Sequence, residues 1–322
     1  MIRLNAIQKR IEELKNYSAE PTIDRESLKT FWQKQHEQEG SYSLNVHYER
    51  ADSIFPSIET YHVTYYGADG TPIRARLSLP RFSENKPLPC ALVFHGYGDS
   101  KGFEEKHAAL LLMGIAVFAA DVRGQGGETG SLLKTSYGTS PGWVTQGILN
   151  PANSYYSSIV SDALRAISAA DSHPDIDSAK LFAVGLSQGG GLALLAAALT
   201  DSKLKFVSAA LPGMCHMDLG IMKSTGSLSE AAAFIHKHPE HTDTVLRSLS
   251  YFDVLNHSEQ ITIPVHMQIG LKDTVCLPDC IAAAYNRISS RKTLDVHPFA
   301  GHEMTEHVQR NMLQFVKNEL ER

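Results

Sequence analysis

The chain has 322 residues, of which 43% are hydrophobic and 20% charged. These values sit near the globular average and exclude disorder, collagen and coiled coil as overall descriptions. Lys and Arg total 30 against 35 Asp and Glu, a formal charge of −5, which argues against a nucleic-acid partner. The longest nearly apolar run, 108–120, ends at Asp121. It falls short of the roughly 20 residues a membrane helix needs, so no membrane partner is expected.

The first residues, MIRLNAIQKRIEELK, are charged and amphipathic, without an apolar stretch before a small-residue cleavage site. No secretory signal is expected. Cys90, Cys215, Cys276 and Cys280 are too few for a disulfide framework in a chain this long and fit a reducing cytoplasm. Residues 1 to about 50 read as two short amphipathic helices, with Ile7, Ile11 and Leu14, then Leu28, Phe31 and Trp32, at helical spacing. They are expected to pack against the outside of a sheet. The alternating segments 61–66 (YHVTYY) and 73–79 (IRARLSL), joined by a glycine-containing turn, predict an antiparallel pair.

After Pro89 the strands change character. Segments 90–94 (CALVF), 115–120, 180–184 (KLFAV), 206–211 and 262–269 are continuous apolar runs, as strands covered on both faces require. A strand at 293–297 follows. Helical stretches separate them: one ending near 113, then 154–172, 188–199, 229–236, 279–288 and 302–320. Alternating strands and helices predict a mostly parallel sheet with helices on both faces, in one domain over 1–322. The glycine-rich segment 124–153 breaks this rhythm and exceeds the ~12–15 residues of an ordinary connection. Its Trp143, Val144, Ile148 and Leu149 predict an ordered excursion. Those apolar groups need cover, either from the chain's own body as a lid or from a second subunit.

The sharpest chemical signal is Gly185-Leu186-Ser187-Gln188-Gly189, directly after strand 180–184 and opening helix 188–199. This is the context of a G-x-S-x-G nucleophile elbow. A serine hydroxyl needs a base, and the base needs an acid, in the chain order Ser, Asp or Glu, His. Asp273 lies just past strand 262–269. His302 follows the last strand, at the expected start of the final helix. Other histidines fit less well: His266 and His297 lie inside strands, and His257 has no suitable acid nearby. Asp279 is the next candidate acid. The developing oxyanion needs donors. The Gln188 backbone N–H and that of Tyr97, in His95-Gly96-Tyr97-Gly98 after strand 90–94, are assigned to it. Arg123, after strand 115–120, is either a surface ion pair or a brace beneath the nucleophile.

Three segments together, Arg123-Gly124-Gln125, Gly185–Gly189 and His302-Glu303, resemble the signatures of carbohydrate esterase family 7, the acetyl xylan esterases and cephalosporin C deacetylases. Further matches at 147–156 (GILNPANSYY), 249–256 (LSYFDVLN) and 270–286 extend the resemblance over essentially the whole chain. It implies an α/β-hydrolase fold, no cofactor, a cytoplasmic deacetylase of small acetylated substrates, and a homo-oligomer, usually a hexamer. It also implies that Gly124, Gln125 and Glu303 support the site beside Arg123. Pro212 and Met214 then lie at the substrate pocket, Met214 where an aromatic residue is common.

Three classes of function remain open: a carbohydrate O-acetyl esterase, another serine hydrolase such as a carboxylesterase or peptidase, and a non-catalytic module. A complete Ser, Asp and His set argues against the last. The chain has no room for the extra domain by which a peptidase usually selects its substrates. The histidines of HKHPEH (His236, His238, His241) are broken by a proline in a charged stretch. Cys276 and Cys280 lack a second pair. No metal is expected from either group.

Overall fold

The structure, a computed structural model, describes residues 5–39, 42–84, 86–135, 142–200 and 203–322. Part of the 124–153 segment, residues 136–141, lies outside the described residues. Two helices come first, α1 (Ala6–Lys15) and α2 (Arg25–Glu39). They are followed by β1 (His47–Ala51), β2 (Ile58–Tyr66), β3 (Pro72–Pro80) and β4 (Leu88–Phe94). Next come α3 (Ala108–Leu112), β5 (Ala116–Ala120), α4 (Tyr155–Asp171), β6 (Ile176–Leu186) and α5 (Gln188–Leu199). After β7 (Val207–Ala210) the chain forms α6 (Met217–Lys223), α7 (Leu228–Lys237), α8 (Thr242–Ser250) and α9 (Val254–His257). It ends with β8 (Val265–Gly270), α10 (Pro278–Arg287), β9 (Lys292–His297) and α11 (Glu306–Leu320).

The strands form one sheet in the order β1-β2-β3-β5-β4-β6-β7-β8-β9. β1, β2, β3 and β5 pair antiparallel, and everything from β5 to β9 is parallel. Strand alternation explains the continuous apolar runs. In β6, Leu181 and Ala183 face the larger core, with α4, α5 and α10, while Phe182 and Val184 face the smaller core under α3 and α11. The chain leaves β4 for β5 on one side and returns to β6 on the other. This puts a topological switch point between the carboxyl ends of β4 and β6, where open α/β sheets bind ligands.

Three expectations change. Residues 47–51 (HYERA) are a strand, not the end of a helical extension. β1 is an edge strand with no fully buried residue: His47, Glu49 and Arg50 are exposed and Tyr48 and Ala51 are partly buried, so no apolar pattern marks it. The N-terminal helices pack on the helical layer rather than on the sheet. Arg10 pairs with Asp279 on α10 at 2.6 Å, and Trp32 Nε1 donates to the Tyr251 carbonyl at 3.2 Å. Finally, the last helix starts at Glu306, capped by the Thr305 hydroxyl, so His302 lies in the loop before it.

Trp143, Val144, Ile148 and Leu149 of the 124–153 segment are covered by the chain itself. Val144 and Ile148 are each 2% exposed and join the larger core, with Trp143 and Leu149 packed against it. These four side chains therefore need no second subunit, whereas Leu132 of the same segment stays 56% exposed. Among the described residues, no helix is long and apolar enough to cross a membrane.

Candidate active site

The elbow is built by crowding. A Cβ on Gly185 would run into the Gly189 backbone, and one on Gly189 into the Phe94 carbonyl, so only glycine lets β6 turn into α5 this tightly. Ser187, between them, takes φ 57° and ψ −124°, a strained conformation for a non-glycine residue. The surroundings hold it there: Ser187 N–H donates to the Ala210 carbonyl at 3.0 Å, and Gly213 N–H to the Ser187 carbonyl at 2.8 Å.

The three predicted side chains meet. Ser187 Oγ lies 2.8 Å from His302 Nε2, and His302 Nδ1 lies 2.8 Å from Asp273 Oδ2. A carboxylate accepts, so Nδ1 carries the proton and Nε2 is left to accept from the serine hydroxyl. Asp273 Oδ1 accepts from the Val275 and Cys276 N–H groups, both at 2.8 Å. These two bonds fix the carboxylate so that Oδ2 faces the imidazole. His302 arrives on a loop tied to its neighbour, with Lys272 N–H donating to the Ala300 carbonyl at 3.0 Å.

The other histidines are engaged elsewhere. His266 lies between Ser208 and Asp295, His297 meets Gln268, and His257 faces the Tyr251 carbonyl. Asp279 is held by Arg10. Among the described residues, no group of His, Cys, Asp and Glu side chains, HKHPEH included, is arranged to hold a metal.

Gln188 opens α5, so its backbone N–H has no intrahelical acceptor. The loop carrying Tyr97 passes beside the serine, a Cβ on Gly96 lying 3.6 Å from Ser187 Cβ. Two side chains fix that loop. His95 Nε2 accepts from Val122 N–H at 2.8 Å while Nδ1 donates to the Gly96 carbonyl at 2.8 Å. Burial pushes this imidazole's pKa down and keeps it neutral for that double role. Gln125 Oε1 accepts from Gly98 N–H at 2.8 Å, and its Nε2 donates to Tyr155 Oη at 2.8 Å and Gln188 Oε1 at 3.1 Å. One amide thus joins the Tyr97 loop, α4 and the elbow.

Arg123 is a buried brace, 1% exposed. Its Nε and Nη2 grip Asp162 at 2.6 and 2.7 Å, and Asp69 takes a second pair of bonds at 2.7 and 3.1 Å. Gly124 continues the turn, its N–H donating to the Thr129 carbonyl. Glu303 departs from expectation. Its side chain points to solvent and forms no hydrogen bond or ion pair among the described residues, because the loop directs only His302 inward.

A cavity of about 380 Å³ opens at Ser187 and His302 and is lined by Pro212, Met214, Cys276 and Tyr156. Cys276 Sγ lies 3.9 Å from Ser187 Oγ, and burial pushes its thiol pKa up. The sequence reading assigned no role to Cys276, Tyr156, Asp69 or Asp162. It also passed over Glu230 on α7, which accepts from the Tyr97 hydroxyl at 2.7 and 2.9 Å. No spacing rule marks these residues. They are joined by folding, although Tyr156 lies inside the GILNPANSYY segment (147–156) already noted.

A nine-stranded α/β-hydrolase sheet with Ser, His and Asp side chains joined at its carboxyl edge defines the structural class. Comparison with known proteins narrows it. The family model described as acetyl xylan esterase (AXE1) matches residues 4–319, and the chain belongs to that family, whose name is that of a carboxylic ester hydrolase. An acetyl xylan esterase from Paenibacillus sp. R4 is 33% identical, with TM-score 0.91, covering 96% of this chain and 99% of that one. Acetyl xylan esterase 1 from Thermoanaerobacterium sp. JW/SL YS485 is 27% identical, with TM-score 0.88 and coverage of 96% and 98%. The curated acetyl esterase Axe7A of Xylanibacter ruminicola is 27% identical over 188 residues, 58% of this chain. The match spans only 42% of that longer protein.

Proposed function

We propose that the protein is a serine esterase that removes O-linked acetyl groups from small acetylated substrates, xylo-oligosaccharides first and the acetyl ester of cephalosporin C second. The observation that carries this reading is the unbroken 2.8 Å relay from Ser187 through His302 to Asp273 in a chain of the acetyl xylan esterase family.

In this mechanism Ser187 Oγ attacks the ester carbonyl carbon while His302 Nε2 takes its proton. Asp273 stabilises the resulting imidazolium. The backbone N–H groups of Gln188 and Tyr97 receive the oxyanion, each donor lowering the barrier by roughly 3 to 4 kcal/mol. Collapse returns the proton to the departing sugar oxygen and leaves acetyl-Ser187. Water, deprotonated by His302, attacks that ester and releases acetate and free serine. No cofactor enters any step.

Acetate release from acetylated xylo-oligosaccharides, measured beside p-nitrophenyl esters and peptides, tests the substrate class. Turnover of peptides with none of acetylated sugars contradicts it. The cavity volume favours a second reading, a broader short-chain carboxylesterase, because an acetyl group fills little of about 380 Å³. Specificity constants for acetate, butyrate and octanoate esters separate the two, with an optimum at octanoate excluding the acetyl preference.

The reading includes a cytoplasmic setting, supported by four unpaired cysteines, and a homohexamer with closed symmetry. The assembly rests on the family resemblance, because Trp143, Val144, Ile148 and Leu149 already pack into the chain's own core. Light scattering at micromolar concentration tests it: a particle near the 35.4 kDa of one chain refutes the oligomer.

A further inference from the structure

Two adjacent tyrosines open α4, and the structure uses them differently. Tyr155 is a strut: its hydroxyl donates to the Arg123 carbonyl at 2.6 Å and accepts from Gln125 at 2.8 Å. Tyr156 points into the cavity beside Ser187. Its side chain is 3% exposed and its ring stacks on Phe252, with centroids 6.0 Å apart. Its hydroxyl has no hydrogen-bond partner among the described residues, yet it is not sealed in protein, so it opens to the cavity.

Leaving a buried phenol hydroxyl unpaired is unfavourable, whereas phenylalanine would fill the same space without that cost. The cavity's other polar side chains named so far are committed: Ser187 to His302, and Tyr97 to Glu230. Ser224 likewise donates to the Val275 carbonyl at 2.6 Å. Burial keeps the Tyr156 phenol protonated, so it is a neutral donor that can also accept.

We infer that Tyr156 recognises the alcohol part of the substrate by hydrogen-bonding to a hydroxyl or ring oxygen, which selects acetylated sugars over apolar esters of the same size. An acetyl group offers only its carbonyl oxygen, which the Gln188 and Tyr97 donors take. A longer acyl chain offers nothing to a phenol. The polar match must come from the alcohol, and a pyranose ring supplies it. This assignment rests on the reading of Ser187 as an esterase nucleophile.

The test compares a methyl xyloside monoacetate with cyclohexyl acetate, which keeps the ring size and lacks the hydroxyls. In Tyr156→Phe the ratio of kcat/KM for the xyloside ester over the cyclohexyl ester should fall about 5- to 10-fold, the worth of one neutral hydrogen bond, mainly through KM. An unchanged ratio, or an equal loss on both esters, overturns the proposal. Calorimetric binding of deacetylated methyl xyloside to wild type and Tyr156→Phe decides it without turnover. Binding weakened by the same factor supports the role, and equal or absent binding overturns it. A wild type that binds the xyloside but hydrolyses neither ester leaves Tyr156 its role and rejects the esterase reading.

Discussion

Asp162 and Asp273 are both buried, 4% and 3% exposed, and each holds a basic side chain near the candidate nucleophile. Their partners differ. Asp162 faces the guanidinium of Arg123, which stays charged at every working pH and is forked across both oxygens. Burial pushes the Asp162 pKa up, and the paired cation opposes it. Asp273 instead gives one oxygen to two backbone N–H groups and keeps the other for an imidazole that must gain and lose a proton. A fixed charge pair suits a brace, and a titratable partner suits proton transfer. Losing Arg123 should therefore cost stability, whereas losing Asp273 should cost turnover.

The largest expected effect bears on the reacting side of this comparison. Ser187→Ala should reduce turnover by about 10⁴-fold or more with folding intact, as when a member of a cooperating triad is removed. Near-normal turnover in that variant excludes Ser187 as the nucleophile. Asp273→Asn comes next. The Asn oxygen keeps the Val275 and Cys276 N–H bonds, so its NH₂ faces His302 Nδ1. That favours the wrong tautomer at Nε2 and should lower kcat by about 10⁴-fold at nearly unchanged melting temperature. If the variant instead unfolds while its folded fraction stays fully active, Asp273 is a structural residue.

On the bracing side, Arg123→Met leaves Asp162 buried without its cation. Denaturant unfolding should show a loss of about 3 to 5 kcal/mol. An unchanged unfolding midpoint would erase the distinction drawn between the two aspartates. A smaller effect concerns pH. Burial pushes the His257 pKa down to about 4, while the unfolded imidazole titrates near 6.5. Between those values the unfolded chain binds the extra proton. Stability present above pH 6.5 is then progressively lost as pH falls, by about 3 kcal/mol at pH 4. His257→Gln should flatten that part of the stability–pH curve, and a curve that keeps its slope assigns the acid sensitivity to other groups.

The buried half of the fold was legible because strands covered on both faces read as continuous apolar runs, and because the elbow glycines fall where β6 meets α5. β1 was not legible. HYERA lies at a solvated edge, where only Tyr48 packs against the core and one residue makes no alternating pattern. Between β7 and β8 the sequence shows one clear helix, yet α6, α8 and α9 flank it, each of nine residues or fewer and too short for a clear period. His302 was found from chain order, but its helix starts later, because the Thr305 hydroxyl provides the cap. Arg123 could be read as a brace or a surface pair, and only folding brings it Asp69 and Asp162 from distant elements. The same holds for Cys276, whose place beside Ser187 follows from the bonds Asp273 makes to its loop.

Ser187, activated by His302, is the proposed nucleophile. A fluorophosphonate label followed by peptide mapping examines it most directly, since the reagent reacts irreversibly with an activated serine and Cys276 lies 3.9 Å away as a rival. The predicted result is one label per chain, on Ser187, with esterase activity falling in step with labelling and no label in Asp273→Asn on the same timescale. A label on Cys276, or full activity after Ser187 is completely labelled, would exclude Ser187 as the nucleophile.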